Sequence, residues 1–435
     1  MGAEPTQNNI IVGFTQMDRV IGGSKSEAVA LDTKEKFVQE GATQEQATSL
    51  SFQIAGALKV LEKVELNASP RVLSTPQHQF SAALQSYVAE QAANSGKIQP
   101  LPLGYEAKFD TDDWLGWAGS FFTWSRRLIQ GKHPLPKPMP MGTLPESVNF
   151  AVLADWGTGL YGAPACAQTI AKNSLNYQVL LHLGDVYYAG LESEEKNRFL
   201  QYWPSLLNTK SYSLNSNHEM YTGGYGYFDA LLQAPSFKSN QTSSYFALQN
   251  SNFLFLFLDT AFVEHDFVQE ERGWLLDAIA KAAGKKIILF SHHQLFSRLD
   301  AQGPNLRTVL ADALQKKQIF AWYWGHEHRC VIYDQDSSSN LFARCVGHSG
   351  MPYNRGDVAG FPSVPGQQPC WKQLTSSPDA PSSIVLDGPN VYIDPSDDPN
   401  RYGPNGFLSL LVDGAHLKEI VHDPEGKTLY EKDLC

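Results

Sequence analysis

The sequence predicts an α/β fold carried on a helical N-terminal region. Short β-rich runs alternate with helical patterns through the middle of the chain, a proline-dense segment precedes them, and a polar, alanine-rich stretch comes before that. Alternation of this kind is the pattern of largely parallel strands covered by helices, in which ligands gather at the carboxyl ends of the strands.

The elements follow in order. Residues 33–64 are polar with spaced apolar positions and many Ala, Gln, Glu and Lys, which reads as one or two helices, and residues 77–94 as another. A break at Gln99-Pro100-Leu101-Pro102 follows. Residues 110–129 carry Trp114, Trp117, Phe121, Phe122 and Trp124 at near-helical spacing, the mark of a core-facing stripe. Residues 1–132 are therefore expected to be helical. Prolines 134, 136, 138 and 140 make residues 133–145 an extended linker, because each Pro removes a donor and disfavours helix in the residue before it.

From 146 to 435 one larger domain is expected. Strands are predicted over 148–154, 178–183, 211–214, 253–258, 286–290 and 319–324, with helices over 163–174, 192–203, 270–283 and 306–316. Pro, Gly, Ser and Asp dominate 352–405, which predicts long irregular loops. Apolar and polar residues alternate around Asp413-Gly414, so a hairpin is expected to close the domain.

Composition narrows the function classes. The 435 residues are 42% hydrophobic and 18% charged, a globular balance with room for more than one core. A formal charge of −11 and only paired lysines, Lys285-Lys286 and Lys316-Lys317, exclude a general nucleic-acid binder, whose affinity rests on clustered cations. Cys166, Cys330, Cys345, Cys370 and Cys435 form no CxxC, which points to free thiols and away from a disulfide framework or a thiolate zinc site. No apolar run approaches the ~20 residues that span a bilayer. The opening Met1-Gly2-Ala3-Glu4-Pro5-Thr6 lacks a basic and apolar leader and fits the myristoylation pattern only loosely, so a cytoplasmic or a processed secreted protein is expected.

Metal-type residues recur where predicted strands stop. They are Asp155-Trp156-Gly157, Gly184-Asp185-Val186-Tyr187-Tyr188, Asn217-His218-Glu219, Ser291-His292-His293 and Gly325-His326-Glu327-His328. Each alone has an ordinary reading: an Asp after a strand is usually a loop cap, Gly-Asp a common turn, Tyr188 a core residue and a single His a hydrogen-bonded one. His326 and His328 weigh more, since alternate residues of a strand share a face. Five successive strand ends carrying such residues point to a shared site. Carboxylates, an amide and imidazoles without Cys suit zinc, manganese or iron, and one carboxylate bridging two ions ~3.5–4 Å apart is the device of two-metal hydrolases.

The order Asp-x-Gly, Gly-Asp-x-x-Tyr, Asn-His-Glu, His, Gly-His-x-His resembles that of purple acid phosphatases within the calcineurin-like superfamily, over about residues 148–330. The resemblance implies a calcineurin-like αββα sandwich and a metal-dependent hydrolase of phosphate monoesters using a water ionised at two metal ions. It implies a first ion held by Asp155, Asp185, Tyr188 and His328, and a second by Asp185, Asn217, His292 and His326. His218 then faces the phosphate and protonates the leaving group. Most relatives carry Asp-x-His in the first motif; Gly157 has no side chain to offer, so Tyr188 substitutes, and its hard phenolate favours Fe(III) there, with Zn, Mn or Fe(II) at the other position. Ser216 stands where the family usually has Gly, and Gln294 where it has Pro. His293, and His348 in a glycine loop, are further candidates for substrate contact, with a structural or solvated loop histidine as the alternative. The expected partner is a small phosphorylated molecule. A phosphodiesterase acting on cyclic nucleotides or lipid head groups is the alternative within enzymes, and a non-catalytic binding module of the same fold the alternative outside them; no ligand is lost here to indicate the latter.

Overall fold

The computed structural model describes residues 131–159, 162–300, 304–366, 370–393 and 398–435, with scattered positions between 34 and 82. Lys34, Val38, Gln44, Glu45, Ala47, Thr48, Ser51 and Ala82 are helical; the rest of the expected N-terminal helices, the tryptophan stripe included, lies outside the described residues.

The six predicted strands all form, with ends within one residue of expectation: β2 (Ser147–Leu153), β3 (Val179–His182), β4 (Lys210–Ser213), β6 (Phe253–Phe257), β7 (Lys286–Ser291) and β8 (Ile319–Trp324). They divide between two sheets. In one, β2, β3 and β4 run parallel at one side and β13 (Phe407–Asp413), β14 (His416–His422) and β15 (Thr428–Asp433) continue it antiparallel, in the order β15-β14-β13-β2-β3-β4. The other has nine strands, β1-β5-β6-β7-β8-β10-β9-β12-β11, with β6, β7, β8 and β10 parallel. Its remaining members are β1 (Gly142–Thr143), β5 (Phe246–Gln249), β9 (Cys330–Tyr333), β10 (Phe342–Val346), β11 (Trp371–Leu374) and β12 (Ser383–Leu386). The expected linker thus ends by joining a sheet, since Gly142 pairs with Leu248. Strands β11 and β12 correct the all-loop reading of 352–405: four-residue runs are too short to show a period-two pattern amid the surrounding Pro and Ser.

Period-two alternation builds the layers. Along β2, Val148, Phe150 and Val152 enter the core between the sheets, while Ala151 and Leu153 face outward onto helix α1 (Gly162–Lys172). On the far side α3 (Gln269–Ala280) and α4 (Asn305–Gln315) cover β6 and β7 through Leu275, Ile279, Leu306 and Leu310. The result is an αββα sandwich. Phe150 and Phe255 meet across the sheets with ring centroids 5.0 Å apart, a contact worth about 0.5–1.5 kcal/mol beyond the area it buries. Arg344 of β10 and Glu419 of β14 also bridge the layers, with Nη2 2.7 Å from Oε1 and the Tyr323 hydroxyl donating to Oε2 at 2.9 Å. Cys166, Cys330 and Cys345 are buried free thiols and Cys370 and Cys435 are free and partly exposed. No helix among the described residues is long and apolar enough to cross a membrane.

Candidate metal centre

Asp185 lies at the centre of the predicted residues, 1% exposed, with its two carboxylate oxygens turned to different partners. Oδ1 is 3.5 Å from His292 Nε2 and accepts from Ser216 Oγ at 2.7 Å. Oδ2 is 3.3 Å from His328 Nε2 and accepts from the Tyr187 hydroxyl at 3.2 Å.

Besides the Ser216 donor, the first set gathers two acceptors with Asp185 Oδ1: His292 Nε2 and Asn217 Oδ1. His292 Nδ1 lies 2.9 Å from the Leu183 carbonyl, which can only accept, so Nδ1 carries the proton and Nε2 presents a lone pair. That lone pair faces Asn217 Oδ1 at 3.0 Å, His326 Nδ1 at 3.2 Å and Asp185 Oδ1. The Asn217 amide is turned oxygen-inward because its nitrogen donates to the Tyr221 hydroxyl at 2.9 Å. Burial pushes His292 down to about 4 and, with neighbouring imidazoles, holds His326 well below the usual range, so both rings are neutral near pH 7. Buried acceptors converging in this way are costly unless a cation receives them. Ligands of a tetrahedral ion with ~2.0–2.2 Å bonds stand about 3.3–3.6 Å apart, which these spacings approach. The residues fit a metal.

The second set adds a residue that the sequence reading did not name. Tyr187 brings its hydroxyl to within 2.7 Å of His328 Nε2 as well as to Asp185. The loop after Asp185 is pinned by two buried carboxylates: Glu219 Oε1 accepts from the amides of Asp185 and Val186 at 3.0 and 3.1 Å, and Glu194 accepts from those of Tyr188, Ala189 and Leu191. With its amide held by Glu194, Tyr188 turns its ring toward Arg198, whose guanidinium carbon is 5.3 Å from the ring centroid. Gly184 makes this turn possible: its φ of +97° and a Cβ position 2.8 Å from Ser216 Cβ both require glycine.

Asp155 lies within reach of the cluster, one oxygen within 4.8 Å of ligand atoms of both Asp185 and His292. It also clamps the opposite strand end, accepting from the amides of His326 (2.9 Å) and His328 (3.1 Å). Gly325 and Gly347 press against it; a Cβ on Gly347 would sit 2.1 Å from Oδ2. Burial, aided by Asp185, pushes the Asp155 carboxyl up to about 7, whereas the histidines around Asp185 overcome burial and hold that carboxyl well below the usual range. Asp155, Asp185, His265, His326 and His328 all have φ between +55° and +84°. Such conformations cost about 1–3 kcal/mol each and collect at functional sites.

His218 stands beside these groups on α2 (Asn217–Met220), whose first turn is capped by Ser216 Oγ accepting from the His218 amide at 3.1 Å. Its Nδ1 donates to the Tyr188 carbonyl at 2.6 Å, and its ring packs on Tyr187 with centroids 3.9 Å apart. Nε2 is buried with no protein partner. His293 is placed with His326, centroids 4.6 Å apart, and the His348 ring lies fully buried against Gly406, just before β13.

Residues 148–330 match the calcineurin-like phosphoesterase family. No curated protein matches the chain. Similar solved structures include a purple acid phosphatase from yellow lupin seeds (13% identity, TM-score 0.47, covering 69% of this chain and 55% of that one). Two others are the GAP50 anchor of the Plasmodium inner membrane complex (14%, TM-score 0.48, 66% and 88%) and PhoD (12%, TM-score 0.44, 69% and 70%). The chain spans about half the length of the lupin enzyme.

Proposed function

From the calcineurin-like phosphoesterase domain that residues 148–330 carry, we propose that this protein is a metal-dependent hydrolase of phosphate monoesters working through two ions. The observation that carries the reading is Asp185, one oxygen turned to His292 Nε2 at 3.5 Å and the other to His328 Nε2 at 3.3 Å. One half of the site would be held by Asp185, Asn217, His292 and His326, which suits Zn, Mn or Fe(II). The other would be held by Asp185, Tyr187 and His328 with Asp155 in reach, and a phenolate there favours Fe(III). When bound, such a pair lowers the pKa of water and offsets phosphoryl charge.

The chain's own residues supply the rest. His218, anchored at Nδ1 by the Tyr188 carbonyl, leaves Nε2 without a protein partner, and once protonated that atom would hand a proton to the leaving alkoxide. Asp155 keeps His326 and His328 in register with the opposite sheet, and Glu219 and Glu194 keep Asp185 and Tyr187 turned inward. The purified full chain should hydrolyse an aryl phosphate, lose that activity to a chelator and regain it on addition of Fe and Zn. Activity that persists after complete metal removal would refute the reading.

A further inference from the structure

Beside the proposed pair lies a cluster of three imidazoles, two of which, His265 and His293, the reaction does not use. His265, His293 and His326 each bring one ring nitrogen to within 4.8 Å of the others. Ring centroids are 4.1 Å apart for His265 and His293, 4.6 Å for His293 and His326, and 5.7 Å for His265 and His326.

The cluster is built. His293 is 0% exposed, and Thr260 Oγ1 lies 3.0 Å from its Nδ1 while accepting its amide at 3.1 Å, so the ring is oriented through Nδ1. The remaining nitrogen, Nε2, is buried and has no hydrogen-bond partner in the protein. Leaving such an atom unsatisfied costs about 1–3 kcal/mol. His265 is brought in by a turn in which its amide donates to the Thr260 carbonyl at 2.9 Å, with φ at +56°. Asp259 Oδ1 secures that turn by accepting from the amides of Ala261 and Phe262 at 2.9 and 2.8 Å. His265 is only partly buried, which provides a way in from solvent.

We propose that His265, His293 and His326 form a third cation site, for a borderline divalent ion such as Zn(II), Co(II) or Cu(II), with His326 shared between this site and the phosphoesterase pair as an imidazolate whose remaining N–H proton passes to solvent when both ions bind. Imidazole ligands favour such ions over Mg(II) or Ca(II), which prefer oxygen. An open fourth position on the His265 side would let the ion take a solvent or substrate atom. The proposal rests on the phosphoesterase reading only through His326.

The experiment counts ions. The full chain, stripped with chelator, is dialysed against excess Zn(II) and its content measured by mass spectrometry, with circular dichroism confirming the fold of each variant. The wild type should hold about three equivalents, and His265→Ala and His293→Ala about two. Asp185→Asn should lose the pair yet keep an ion that disappears when His265→Ala is added. Two equivalents in the wild type and an unchanged count in folded His265→Ala would overturn the third site while leaving the pair standing. An Asp185→Asn variant that keeps every ion would instead overturn the pair, and a count that still falls with His265→Ala would support the third site by itself.

Discussion

The two sheets meet at the site with different chemistry. The six-stranded sheet delivers oxygen donors at the ends of β2, β3 and β4: Asp155, Asp185, Tyr187 and Asn217, with His218 beside them. The nine-stranded sheet delivers nitrogen at the ends of β6, β7 and β8: His265, His292, His293, His326 and His328. Carboxylate charge therefore resides on one side and imidazole nitrogen on the other, and the layers would have to stay aligned for one ion to be held by both. Asp155 performs that alignment by accepting two amides from the opposite sheet, and the Arg344–Glu419 pair repeats it in the core. Buried pairs of this sort stabilise less than they specify, yet breaking one by removing a single partner costs about 3–5 kcal/mol.

Asp185→Asn breaks the comparison most severely, because one substitution removes the anionic bridge between the two sides. Turnover of an aryl phosphate should fall to background and bound metal should drop with it; full activity would mean that Asp185 joins nothing. Next in size is His218→Ala, the imidazole that comes from the oxygen side. General-acid catalysis is typically worth ~10²–10⁴, so turnover should fall at least ~10²-fold while metal content stays full. Loss of metal instead would make His218 a ligand.

The smallest effect sharpens the comparison within a single loop. In the iron-loaded protein Tyr187→Phe should remove the visible charge-transfer band, and Tyr188→Phe should leave it in place. The opposite result would restore Tyr188 to the site, and no band in the wild type would remove ferric tyrosinate from it.

The residues showed much of this in advance. Six strand runs and the types of residue at five of their ends placed the site, and alternation in β2 separated core face from helix face. The sixth end, after β6, carried the unused signal: His265 follows it in the same direction as the others, but eight residues downstream, beyond the reach of a strand-end pattern.

What the sequence determined by itself is which atoms are available and roughly where along the chain, because strand periodicity and metal-ligand chemistry are local properties. Only the tertiary structure decided that the strands divide between two sheets, since an apolar run has the same pattern in either. It also decided that the Tyr187 hydroxyl faces Asp185 and His328. Once Asp185 takes a φ of +84° the chain is no longer a strand, and the side chain that faces inward is set by Glu194 and Glu219 gripping the loop amides from other elements. Contacts across the fold, which no local spacing encodes, made that choice.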